Sequence, residues 1–247
     1  MAKDYSFIGR GEIFLRVKGT GNAFISAGNV SELTMSFEED KKELRNFMSA
    51  GGGVRNALTT ISSATGQMTS HDFSPENLAR ALRGSVTMDA GGPVTDEVHA
   101  SVGLPGEFIG FNFAYDPNEP VTIKLANDTA LAAGTDYELT TNGIVLTDST
   151  TVDATGIKAT YVKPTQSVVE MLTESGLEYE LYMNGLNDAQ SGKAVQVKLH
   201  RLKFSPVSGI GLIGDDFGEL PMPFDMLADP GKVGAGVSQY AQIIQVD

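Results

Sequence analysis

The run Gly209-Ile210-Gly211-Leu212-Ile213-Gly214 matches, letter for letter, the glycine fingerprint that cradles a dinucleotide pyrophosphate. That chemistry needs a helix directly after the last glycine, because the helix N-terminus supplies the free N–H groups that bind phosphate. Asp215, Asp216, Gly218, Pro221 and Pro223 follow instead. They break a helix and place negative charge where phosphate would sit, so the run reads as a glycine-rich bend. Gly51-Gly52-Gly53 fails as a phosphate loop, since Val54-Arg55 stands where Lys-Ser/Thr is required. The three histidines, His71, His99 and His200, lie far apart and have no ligand partner at a metal-binding spacing. No Gly-x-Ser-x-Gly elbow accompanies the serines. Asp215-Asp216 could pass for a glycosidase pair, but neighbours along a strand point to opposite faces. No catalytic residue, cofactor or metal is expected.

The charge balance bears on partners. The chain carries a formal net charge of −13, and non-specific affinity for duplex DNA comes from Lys and Arg neutralising phosphates. General DNA binding is therefore excluded. Cysteine is absent, which removes disulfides, thiolate metal sites and a cysteine nucleophile. Met1-Ala2-Lys3-Asp4-Tyr5-Ser6 shows no apolar leader segment, and no apolar run approaches the roughly 18 residues needed to span a bilayer. Synthesis and folding in the cytosol, without membrane insertion, are expected.

The elements that must position any site are mostly strands. Leu33, Met35 and Phe37 alternate with Thr34, Ser36 and Glu38, the two-residue period of a half-buried strand. A strand over Val54–Thr69, rich in Thr and Ser, pairs antiparallel with it. The charged segment from Glu38 to Gly53 is then the tip of a long hairpin, with Leu44, Phe47 and Met48 as apolar residues on a solvated arm. Further strands are expected at Ile13–Val17, Phe24–Ala27, Val94–Val102, Phe108–Tyr115, Leu177–Met183, Val195–Leu199 and Tyr240–Val246. An acidic strand is expected over Gly214–Phe224. Between Leu199 and Leu202 the apolar phase slips, which implies a bulge near Arg201.

The helix is Ser74 to Arg83, with Ser74 as cap, Pro75 at the first turn and Gly84 as the left-handed stop. Leu78 and Leu82 would form its buried face. Asp116–Pro120 and Lys163–Thr165 read as linkers around a small β insertion, which holds a hairpin turning at Asn142-Gly143. The fold class is mainly β, sandwich- or barrel-like, with one flanking helix at about 74–83, a long hairpin arm and an inserted β module. The main domain spans 1–115 and 166–247, and the insertion spans 116–165.

The order of charged hairpin, Thr-rich strand and Phe73-Ser74-Pro75-Glu76-Asn77-Leu78-Ala79-Arg80-Ala81-Leu82-Arg83-Gly84 resembles the major tail tube proteins of tailed bacteriophages. So do Ile213–Leu220 and Asp229-Pro230-Gly231-Lys232, and Gly134-Thr135-Asp136-Tyr137 resembles β modules often inserted in phage virion proteins. The resemblance covers most of residues 1–115 and 166–247. It implies a virion protein whose hexameric rings stack into a hollow tube for genome ejection. It also implies tape measure, tail terminator and distal tail proteins as partners, with double-stranded DNA passing through unbound. An arm of Glu39, Asp40, Lys41, Lys42, Leu44, Arg45, Phe47 and Met48 would then reach a neighbouring subunit. The insertion departs from the minimal pattern and is expected on the outer wall.

An anionic lining keeps a passing polyanion mobile. Candidates for that lining are Glu178 and Glu180, followed by Asp215, Asp216 and Glu219. Two other readings of the chain stand beside this one: a decoration or adhesion module of a virion, and a β-sandwich hydrolase of glycans.

Overall fold

Apolar residues alternating along many short segments pair into a mainly β chain. The computed structural model describes residues 4–147, residue 152 and residues 155–246. Met1 to Lys3 of the N-terminal stretch, six positions of the expected insertion (148–151 and 153–154) and Asp247 fall outside those residues. The chain divides into two compact units, one made of Met1–Val86 and Val169–Asp247, the other of Thr87–Val168.

In the first unit the strands are β1 (Gly9–Val17), β2 (Ile25–Ser26), β3 (Val30–Arg45) and β4 (Val54–Ser70), followed by helix α1 (Pro75–Leu82). Strand β5 (Ser85–Asp89) leads out of this unit. The second unit contains β6 (Gly92–His99), β7 (Phe108–Gly110), β8 (Thr122–Leu125), β9 (Tyr137–Thr140), β10 (Gly143–Leu146) and β11 (Ile157–Lys163). Strand β12 (Gln166–Glu170), paired with β5, leads back. The first unit is completed by β13 (Glu178–Asn187), β14 (Lys193–Phe204), β15 (Leu220–Met226) and β16 (Ala241–Gln245).

Its sheet runs β2-β1-β13-β14-β15-β4-β3, and β14 divides its free edge, pairing through Val195–Leu199 with β16 and through Leu202–Phe204 with β15. Residues of both halves meet in one core, among them Leu15, Leu181, Leu199, Phe204, Met68 and Phe224. The bulge expected near Arg201 is present. Tyr179 and Leu181 pair with Leu202 and Leu199, so Glu180 faces two residues, His200 and Arg201.

Helix α1 is capped as its residues dictate, Ser74 Oγ accepting a bond from the Asn77 N–H. Its other end differs from expectation. Arg83, at φ 47°, takes the left-handed position, and Gly84 is required for space, since a Cβ there would lie 2.3 Å from the Glu170 carbonyl oxygen. The fully buried helix residues are Asn77 and Ala81, with Leu78 only partly covered. Asn77 Nδ2 donates to the carbonyls of Ala27 at 2.9 Å and Asp72 at 3.0 Å, which ties the helix to the loop after β2 and the end of β4.

The second unit is larger than the insertion expected at 116–165, for it also takes the strands near 94–102 and 108–115. Val94 pairs with Tyr161, and Ile109 with Ile144, across the Asp116–Pro120 turn that reads as a linker. Partner choice between strands decided the boundary, and local composition did not report it. Its hairpin turns at Thr141-Asn142, one residue before the expected Asn-Gly, and neither Asn142 nor Gly143 has positive φ.

The core of this unit includes Ile123, Ile144, Ile157 and Tyr161, with Phe111 stacked on Tyr161 at 4.8 Å between ring centroids. Beneath them Glu97 accepts bonds from Tyr161 Oη at 2.9 Å and pairs with His99 Nε2 at 2.8 Å. Burial and the bond to Glu97 push the Tyr161 hydroxyl up to about 12. Burial alone would raise the Glu97 carboxyl, but the bonds from His99 and Tyr161 outweigh it and hold the group below its ordinary 4.5. A carboxyl depressed in the folded state adds stability above the unfolded value, and that stability is lost as pH falls through the folded one. Acidification from about pH 5 to about pH 3 should therefore lower the urea midpoint of this unit more in the wild type than in Glu97→Gln. Parallel pH dependences would rule the cluster out as an acid-sensitive support.

Candidate functional site

The hairpin of β3 and β4 is paired nearly to its tip. The expected loop of Glu38–Gly53 is instead ordered ribbon to Arg45, which pairs with Val54, and only 46–53 form the turn. β-branched residues along β4 suit the extended backbone, and every charged residue of β3 except Lys42, which faces Leu58, has a small or β-favouring partner opposite. Glu39 lies opposite Ile61, Asp40 opposite Thr60, Lys41 opposite Thr59, Lys42 opposite Leu58 and Leu44 opposite Asn56. Asn46 closes the turn, its N–H donating to the Gly53 carbonyl at 2.7 Å and its Oδ1 accepting from the Met48 N–H at 2.9 Å.

Only the root of this ribbon, at Val30, Leu33, Met35, Ala64 and Met68, joins the core. Beyond Phe37 both faces are solvated. Leu44 is 54% exposed, Phe47 84% and Met48 81%, and Phe37, Val54, Leu58 and Ile61 are exposed as well. The register puts Phe37 and Ile61 on one face and the diagonal pair Leu44 and Leu58 on the other. Phe37 was expected on a half-buried face and is 57% exposed, because the core ends at Met35, while Val54, Leu58 and Ile61 escape notice in the sequence because β4 looks like a polar strand. Apolar positions recurring among its threonines were the available signal.

The two leading candidate lining carboxylates, Glu178 and Glu180, are engaged in ion pairs. Glu178 forms a two-pronged pair with Arg201, Nη2 to Oε1 at 2.6 Å and Nε to Oε2 at 2.8 Å, and this holds its carboxyl below the usual range. Glu180 is shared by Arg16 at 2.5 Å and Lys18 at 3.4 Å. Neither presents free negative charge. The bulge explains the crowding, since the widened strand at His200-Arg201 brings Arg201 onto the face of Glu178. Lys18 also donates to Asp229 at 2.8 Å. Burial opposes the Lys18 ammonium, but its two carboxylates more than compensate, raising its pKa and lowering that of Asp229.

The same sheet face holds a pocket of about 300 Å³ lined by Arg16, Phe24, Glu180, Tyr182, Lys198, His200 and Lys232. Arg16 stacks over the Phe24 ring at 4.4 Å, and Lys198 lies 5.6 Å from the Tyr182 ring. Burial and then the charge of Lys232 keep the His200 imidazole below its ordinary pKa, so it adds no cation at neutral pH. Lys198 and Lys232 have no carboxylate partner among the described residues. In a chain of net charge −13 this is a local excess of positive charge.

Asp215, Asp216 and Glu219 are all exposed on the connection from β14 to β15, without ion pairs among the described residues. That connection is irregular, not the acidic strand expected over Gly214–Phe224. Strand β15 begins only at Leu220 and contains both Pro221 and Pro223. The connection is anchored where the Val207 N–H donates to Ala81 at 2.9 Å and where Ile210 packs on the core. Farther along, Leu212, Ile213 and Phe217 project, the last two 100% and 96% exposed. No group of three or more His, Cys, Asp or Glu residues suited to a metal occurs among the described residues.

No curated protein matches this chain. A family model described as "Protein of unknown function UCP028589" matches residues 6–244, nearly its full length. The chain belongs to that family.

Proposed function

We propose that the protein is a structural subunit that polymerises through its β3–β4 ribbon, in the manner of a phage major tail tube protein. Six copies would close a ring by a head-to-tail contact, and rings would stack into a hollow virion tail that conducts the genome. The observation that carries this reading is the ribbon beyond Phe37, which has an exposed apolar tip and, among the described residues, no cover on either face. A two-stranded ribbon alone is marginally stable in water, and exposed apolar groups on it gain most when another surface covers them.

The net charge of −13 agrees with a conduit that must release duplex DNA, although Glu178 and Glu180 are each ion-paired. Rings or tubes in negative-stain images of the purified protein, with matching fast-sedimenting species, are expected. Monodisperse monomers at every concentration, including when distal tail proteins are added as initiators, would refute the reading.

A further inference from the structure

We infer that the connection Leu212–Glu219 of one copy docks into the pocket lined by Arg16, Phe24, Tyr182, Lys198 and Lys232 of a second copy. The inference rests on the self-assembling reading above and names a contact other than the ribbon. Copies carrying −13 each repel one another, and a contact that sets opposite charges together offsets that repulsion. The connection offers Asp215, Asp216 and Glu219 with Ile213 and Phe217 projecting beside them. The pocket offers Lys198 and Lys232, which form no ion pair among the described residues, beside the Phe24 and Tyr182 rings, whose centroids are 6.2 Å apart.

The two surfaces therefore carry charge of opposite sign, and each has apolar groups beside it. Ile213 and Phe217 are almost fully exposed, and the pocket is open to solvent. The two surfaces are different patches of one molecule. Their contact is heterologous, and a heterologous contact builds rings or filaments, not a closed pair.

Charge reversal tests this directly. Lys198→Glu with Lys232→Glu makes both surfaces of one protein acidic, and Asp215→Lys with Asp216→Lys makes both basic. Each double variant should raise the concentration needed for assembly by about tenfold or more. An equimolar mixture of the two should assemble close to the wild-type concentration, because every contact in an alternating ring then joins opposite charges. Urea midpoints like that of the wild type show that the variants fold, and Lys198→Gln with Lys232→Gln gives a milder version if the reversal does not.

Normal assembly of either double variant, or failure of the mixture to recover, overturns the inference. If the wild type assembles and ribbon substitutions block it while both reversals have no effect, the docking is wrong and the polymer reading stands. A wild type that never associates sinks both.

Discussion

A chain carrying Leu44→Ser, Phe47→Ser and Met48→Ser together is expected to stay a folded monomer at concentrations where the wild type polymerises. The three side chains are 54%, 84% and 81% exposed, so their truncation removes little from the monomer's own core. Substitutions at such exposed positions usually change stability by less than about 0.5 kcal/mol each. Against a neighbouring copy the same three groups would be buried, and fully burying one such side chain is worth about 1.5–3 kcal/mol. Losing several kcal/mol from every contact raises the assembly threshold by orders of magnitude, because each 1.4 kcal/mol is tenfold. The Asn46 bonds that close the turn are untouched by these changes, so the ribbon keeps its shape. Sedimentation and negative-stain imaging read the result, and tubes of normal length from the triple variant would show that the ribbon tip is not an interface.

The second large effect lies in the core of the first unit. Phe224 is 1% exposed and meets Phe204 edge to face at 6.0 Å between centroids. It sits on β15, the strand that joins β14 to β4. Its ring also fills the space above Gly66, where a Cβ would come within 2.4 Å of it. Phe224→Ala would open a cavity where the two halves of the sheet meet, at a cost of about 3–5 kcal/mol. That is a large share of the stability of an ordinary domain. The second unit has its own core and should be spared. Denaturant unfolding followed by hydrogen exchange should show early loss of protection in β4, β14 and β15, with β10 and β11 protected as in the wild type. Equal loss in both units would mean that they unfold as one, and an unchanged midpoint would mean that the site collapses without a cavity.

Much of the framework is written in local residue chemistry. Ser74 and Pro75 start a helix wherever they stand before Glu76, because the cap bond needs only the next turn of backbone. The alternation at Leu33 and Met35 demands a strand with one covered face, and the hairpin with Val54–Ser70 follows, although Phe37, next in the same phase, lies past the end of the core and is exposed. The slip from Leu199 to Leu202 announces a bulge, since the core face cannot otherwise be kept. The apolar tip residues were equally legible, because no nearby residue could hide them.

The rest depends on partners distant in sequence. Glu180 looks like a free carboxylate until β1 pairs with β13 and sets Arg16, 164 positions away, against it. The cations of the pocket come from β1, β14 and the turn after Asp229, and no spacing along the chain joins them. The inserted unit begins at Thr87 because β6 found β11, not because the composition changes there. Period, cap and bulge are short-range matters of sterics and hydrogen bonding, which any segment carries with it. Charge balance at a surface and the border of a folding unit are sums over strands brought side by side, and only the pairing of the sheet sets their terms.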